Sequence, residues 1–181
     1  MGLHSVPNGS ETGCYDLDQR VELFAALRRA TAQRELVLLT SDANGMHAAA
    51  GMAARLQALG IGHIMVLADC QATCEQALSR WPWLGCCGWS RGLGGFGRYA
   101  DARLASEGTL RLWRLWSAKW LLMARLCEAR VNVLALDSDI VLLGDPYPVL
   151  LSEPVVNFTL VVPPEASRVN LGLFYVRGVL A

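Results

Sequence analysis

The chain has 181 residues, 53% hydrophobic and 18% charged, which suits one domain with a sizeable core and excludes a disordered chain. Its 16 basic and 16 acidic residues cancel, so no net field draws it to nucleic acid or to an anionic membrane surface. No uninterrupted apolar run approaches the roughly 18 residues of a membrane span, and Met1–Gly13 has neither the charged nor the apolar part of a signal peptide.

The first 16 residues read as a disordered or extended N-terminus, with one domain over 17–181. Asp18 is placed to cap a helix over about 18–33, whose apolar positions Val21, Phe24, Ala25 and Leu27 recur at helical spacing. Glu35–Thr40 (ELVLLT) reads as a short strand ending in the polar turn Ser41-Asp42-Ala43-Asn44-Gly45. A helix over Met46–Leu59 stops at Gly60, and Ile61–Ala68 is a second strand, followed by Asp69 and a helix over about 71–79. Strand–helix units in succession predict an α/β fold with a parallel sheet.

A further strand is expected near 84–89, inside a stretch rich in Gly, Trp and Pro. Gly92-x-Gly94-x-x-Gly97 matches the dinucleotide fingerprint in form only, because it lacks a convincing strand before it, a helix opening at the glycines and an acid at the right distance after it. Thr109 is placed to cap a long apolar helix over about 110–129, packed on two sides, with Trp113, Trp116 and Trp120 as a core stripe. Strands are then expected at 131–136, 140–143, 155–162 and 171–176. Six cysteines (Cys14, Cys70, Cys74, Cys86, Cys87 and Cys127) lack common zinc spacings and suit buried small side chains or one structural disulfide. His47 and His63 read as a helix-surface and a strand residue. Asn8 and Asn157 each open an N-glycosylation sequon, relevant to a lumenal chain.

The chemistry concentrates in Val131–Pro148 (VNVLALDSDIVLLGDPYP), where an apolar strand delivers Asp137-Ser138-Asp139. On extended backbone, acids two residues apart project to the same side and can face one cation or polar ligand. Burying two carboxylates among Leu134, Leu136, Ile140 and Val141 is costly unless something pairs with them. A hard divalent ion, Mn²⁺ or Mg²⁺, would do so.

Five stretches occur in order: ELVLLTSDAN at 35–44, LGIGHIMVLADC at 59–70, LWSAKW at 115–120, VNVLALDSDIVLLGDPYPVL at 131–150 and VNLGLFYVR at 169–177. With them the chain resembles the nucleotide-diphospho-sugar transferase family, the GT-A-type glycosyltransferases that include plant and algal arabinosyl-, xylosyl- and galactosyltransferases. The resemblance implies a GT-A-like, Rossmann-type, mostly parallel sheet flanked by helices. It also implies metal-assisted transfer of a sugar from a UDP-sugar donor to a glycan or glycoprotein acceptor, with anomeric configuration retained, in the Golgi lumen. Asp137 and Asp139 would be the metal ligands. Thr40, Asn44, Lys119 (the only lysine), Asp137, Ser138, Asn170 and Gly172 would contact nucleotide or donor sugar, and no residue is singled out as catalytic.

Members of the family continue past their Asn-x-Gly motif, whereas this chain ends at Ala181, so the expectation is a C-terminally truncated domain. Its companion is a catalytically inactive or truncated nucleotide-sugar-binding paralogue. A haloacid-dehalogenase-type phosphatase also places Asp-x-Asp after an apolar strand. That motif normally opens its domain, and too little chain follows Asp139 here.

Overall fold

The strands that form the centre of this molecule are apolar on both faces, and so need cover on both. The computed structural model describes residues 13–90, 107–165, 168–169 and 172–178. In chain order these form β1 (Gly13–Asp16), α1 (Arg20–Ala30), β2 (Glu35–Ser41), α2 (Met46–Ala58), β3 (Ile64–Ala68), α3 (Gln71–Arg80) and β4 (Cys86–Trp89). Then follow α4 (Glu107–Glu128), β5 (Asn132–Asp137), α5 (Tyr147–Leu150), β6 (Leu160–Val161), β7 (Pro164–Glu165), β8 (Arg168–Val169) and β9 (Leu173–Val176).

Seven strands make one mixed, mostly parallel sheet in the order β1-β4-β3-β2-β5-β9-β6, and β7 and β8 pair separately. β1, β4, β3, β2 and β5 run parallel, while β9 lies antiparallel to both β5 and β6. Alternation along the strands divides the core. Val37, Leu39, Val66, Leu134 and Leu136 pack under α2 and α3, and Leu36, Leu38, Met65, Leu67, Val133 and Ala135 pack under α1 and α4. The α/β architecture expected from the sequence is therefore present as three layers.

Several expectations are corrected. Asp18 does not cap α1; its carboxylate accepts the Ser90 hydroxyl at 2.6 Å and the Arg125 guanidinium at 3.2 Å. Thr109 lies inside α4 rather than at its cap. The apolar run 140–143 forms no strand, and among the described residues no strand pairs with it. It follows a turn closed by the Ile140 N–H on the Asp137 carbonyl, and the Arg55 guanidinium takes the Leu142 and Leu143 carbonyls instead. The stretch 155–162 splits into a 3-10 turn at Val155–Asn157 and the two-residue β6. The expected strand at 61–68 begins only at Ile64, and the end of the N-terminal stretch contributes β1. The Gly92–Gly97 fingerprint lies outside the described residues.

The tryptophan stripe is also not core: Trp113, Trp116 and Trp120 are 46%, 49% and 44% exposed. The inner face of α4 is held by Leu115, Ala118, Leu122, Met123 and Leu126, and at 100° per residue the three indoles fall together on its flank. Trp120 keeps one face stacked on Phe174, with centroids 5.0 Å apart.

Among the cysteines, Cys14 and Cys74 form a disulfide that ties β1 to α3 across a separation of 60 residues. Closing a loop of that length restricts the unfolded chain and contributes about 2–4 kcal/mol. Cys86 and Cys87 are buried thiols. Burial pushes Cys86 up to about 12 and Cys87 higher still, so both act as small apolar side chains.

Near the N-terminal ends of β2 and β5, Glu35 accepts bonds from Asn132 (2.6 Å) and the buried Tyr175 hydroxyl (3.1 Å). On the same face His63 Nε2 lies 2.8 Å from the Tyr147 hydroxyl. Burial lowers the His63 pKa from its ordinary value of 6.5, against the opposing pull of Glu35 and Asp145. Because the folded state resists protonation, stability is fully present above the unfolded pKa and is lost as pH falls through the lowered one. The thermal midpoint should therefore fall more steeply between pH 7.5 and 5.5 in the native chain than in His63→Gln. Parallel pH profiles for the two would remove His63 from the account.

Candidate functional site at the carboxyl edge of the sheet

Parallel strands end on a common side, and an α/β sheet presents its ligand-binding edge there. At this edge Thr40 of β2 and Asp137 of β5 are register partners. The Asp137 N–H donates to the Gly172 carbonyl at 2.7 Å, which holds the start of the antiparallel β9 against the end of β5. Asn44 is exposed in the turn that follows β2, where Asp42 Oδ1 accepts the Gly45 N–H at 2.8 Å and starts α2. A Cβ on Gly45 would stand 3.6 Å from Ser138 Oγ and 2.8 Å from Ser41 Oγ. Glycine at 45 thus avoids a clash with Ser41 inside its own turn, while Ser138 of the neighbouring turn lies at ordinary van der Waals range.

The electrostatic centre is an ion pair. Lys119 on α4 is only 3% exposed, and its Nζ donates to Asp137 Oδ1 at 2.8 Å. The ammonium also lies 5.2 Å from the Phe174 ring centroid, within cation–π range. The Asp137 side chain is 37% exposed, so the carboxylate faces the buried cation on one side and solvent on the other.

Six of the residues singled out in the sequence therefore meet at one edge: Thr40, Asn44, Lys119, Asp137, Ser138 and Gly172. Asp139 is exposed on the adjoining turn. Its relation to Asp137 differs from the extended-backbone expectation. β5 ends at Asp137 and the chain turns immediately, so two-residue alternation does not govern where Asp139 points. Asn170 lies outside the described residues. Among the described residues, no group of three or more His, Cys, Asp or Glu side chains could hold a cation unaided.

Sequence reasoning passed over Asp69. It follows β3 directly, as Asp137 closes β5, so an acid ending an apolar strand was a signal available twice. Among the described residues, Asp69 Oδ1 and Thr40 Oγ1 are buried side-chain oxygens with no hydrogen-bond partner. Each such atom costs about 1–3 kcal/mol when left unmet.

No family model, curated protein or solved structure matches this chain.

Proposed function

We propose that this chain is a glycosyltransferase of the GT-A type that takes a UDP-sugar donor and passes the sugar to a glycan or glycoprotein acceptor. The observation that supports this reading most is the Asp137 carboxylate at the end of a central parallel strand, beside Thr40 and bonded to the buried Lys119. The Golgi lumen and retention of configuration belong to the same proposal, and rest on the family resemblance.

Asp137 and Asp139 offer hard oxygen donors, the kind Mn²⁺ and Mg²⁺ take. As a pair of carboxylates, they suit an ion whose remaining positions go to phosphate oxygens and water. When bound, such an ion would offset the negative charge that develops on the departing diphosphate. Lys119 fixes the rotamer of Asp137 and adds positive charge at the strand end. Gly172, without a Cβ, permits close approach of a donor sugar to the backbone beside Asp137.

Thermal shift with UDP and GDP, each with and without Mn²⁺, tests the class. A hundredfold excess over Kd stabilises by about 2.7 kcal/mol, which moves the midpoint by several degrees. The expected shift requires UDP and Mn²⁺ together. No shift with either nucleotide, or an equal shift without metal, would overturn the reading.

A further inference from the structure

We infer that the outer surface of α1 and α4 docks on a lipid bilayer bearing anionic headgroups, with the indoles of α4 at the boundary between headgroups and acyl chains. The inference is independent of the UDP-sugar reading. α1 and α4 pack on the same side of the sheet. Arg125 of α4 ties the two together, donating to the Leu17 carbonyl at 2.9 Å and the Asp18 carboxylate at 3.2 Å just before α1 begins. On this layer Val21 and Phe24 of α1 are exposed, as are Leu112, Trp113, Trp116, Trp120 and Leu121 of α4. These are seven of the fourteen exposed large apolar side chains among the described residues, so the layer is an apolar surface rather than a scatter of single residues.

Charge selects the partner. The whole chain is neutral, but the sequences of α1 and α4 together carry seven basic residues and three acidic ones. Arg20, Arg28 and Arg114 are exposed, while among the described residues Glu128 is the exposed acid of these helices. A second copy of the chain on this face would set one basic surplus against another, and a symmetric pairing would do so throughout. An anionic headgroup layer offers the opposite sign. Side-chain chemistry agrees. Indole favours the water–hydrocarbon boundary, because its ring is apolar and its N–H keeps a hydrogen bond. Arg20 lies over the Phe24 ring, 5.7 Å from the centroid, which puts a cation beside an apolar anchor as headgroup depth requires. Both helices return from the carboxyl to the amino end of parallel strands. A bilayer on them therefore runs alongside the sheet and leaves the carboxyl edge open to solution.

Flotation of the full chain with vesicles tests this, using phosphatidylcholine alone and phosphatidylcholine mixed with phosphatidylglycerol, at low and at high salt. At low salt the native chain should bind the anionic vesicles about tenfold more tightly than the neutral ones, with its tryptophan emission moved to shorter wavelength. High salt should narrow that difference, since it screens the arginines but not apolar burial. Trp113→Gln with Trp116→Gln should weaken binding about tenfold, and Arg20→Glu with Arg114→Glu should remove the preference for anionic lipid. All four positions are exposed, so melting curves should stay close to native. Phe24→Ser, on the other helix, reports the same contact if the α4 variant fails to fold. The inference falls if the native chain floats with neither vesicle, or if the indole variant and Phe24→Ser float as the native chain does. It falls too if sedimentation shows a dimer that the indole substitutions dissociate while vesicles stay unbound, and the layer is then an interface between copies.

Discussion

Asp139→Asn should abolish Mn²⁺-dependent UDP binding and reduce sugar transfer on the order of a hundredfold or more, while leaving thermal stability almost unchanged. Asp139 is exposed on the turn after β5, and surface changes of this kind alter stability by no more than about 0.5 kcal/mol. The amide keeps the shape of the carboxylate but loses the charge, which is what a divalent ion selects. Stability and function therefore separate cleanly at this position. The measurement is a pair of titrations, UDP with Mn²⁺ into each protein, alongside melting curves without ligand. Native affinity in the variant would remove Asp139 from the ligand set and leave Asp137 as the only carboxylate of the motif at the site.

The strands were legible where their apolar runs were paired inside the sheet. Leu36–Leu39, Met65–Ala68 and Val133–Leu136 are buried between helices on both sides, so composition and burial agree. The run at 140–143 has the same composition, but Val141 and Leu143 are exposed and the Leu142 and Leu143 carbonyls go to Arg55. Nothing local distinguishes the two cases; only the choice of neighbouring strand does. The indoles of α4 misled for a related reason. Helical spacing shows that Trp113, Trp116 and Trp120 share a side, but not that a narrower row of Leu, Ala and Met would take the inner face. At the carboxyl edge, the Asp137 turn and the Thr40–Asn44 turn could be read from sequence because each follows an apolar strand. Lys119 could be singled out as the lone lysine, but not placed: its contact with Asp137 depends on α4 lying across β5, a tertiary fact. Asp69 carried the same local signal as Asp137 and lacked only a second acid to draw attention to it.

The Asp137–Lys119 pair should show an asymmetry that follows from unequal burial. Removing one member of a buried ion pair costs about 3–5 kcal/mol because the other charge is left uncompensated. Lys119 is 3% exposed and Asp137 37%, so the two deletions take a partner from groups of very different burial. In Asp137→Leu the buried ammonium loses the carboxylate 2.8 Å away, and the cost should lie toward that range. In Lys119→Met the stem is replaced at similar volume and the remaining carboxylate turns to water, so the cost should be nearer 1–2 kcal/mol, about the worth of a charge-assisted hydrogen bond. The double variant, Asp137→Leu with Lys119→Met, should recover much of the loss of Asp137→Leu, because no buried charge remains. Urea unfolding of the four proteins closes the cycle and isolates the pair's own coupling. Equal losses in the two single variants, or a double variant as unstable as their sum, would mean that Lys119 is held by its aliphatic packing. Lys119→Met would then weaken Mn²⁺-dependent UDP binding only by removing a distant charge. If the pair is coupled, the same substitution frees the Asp137 rotamer and should weaken UDP binding severalfold even at high salt, where distant charges are screened but a misplaced ligand is not.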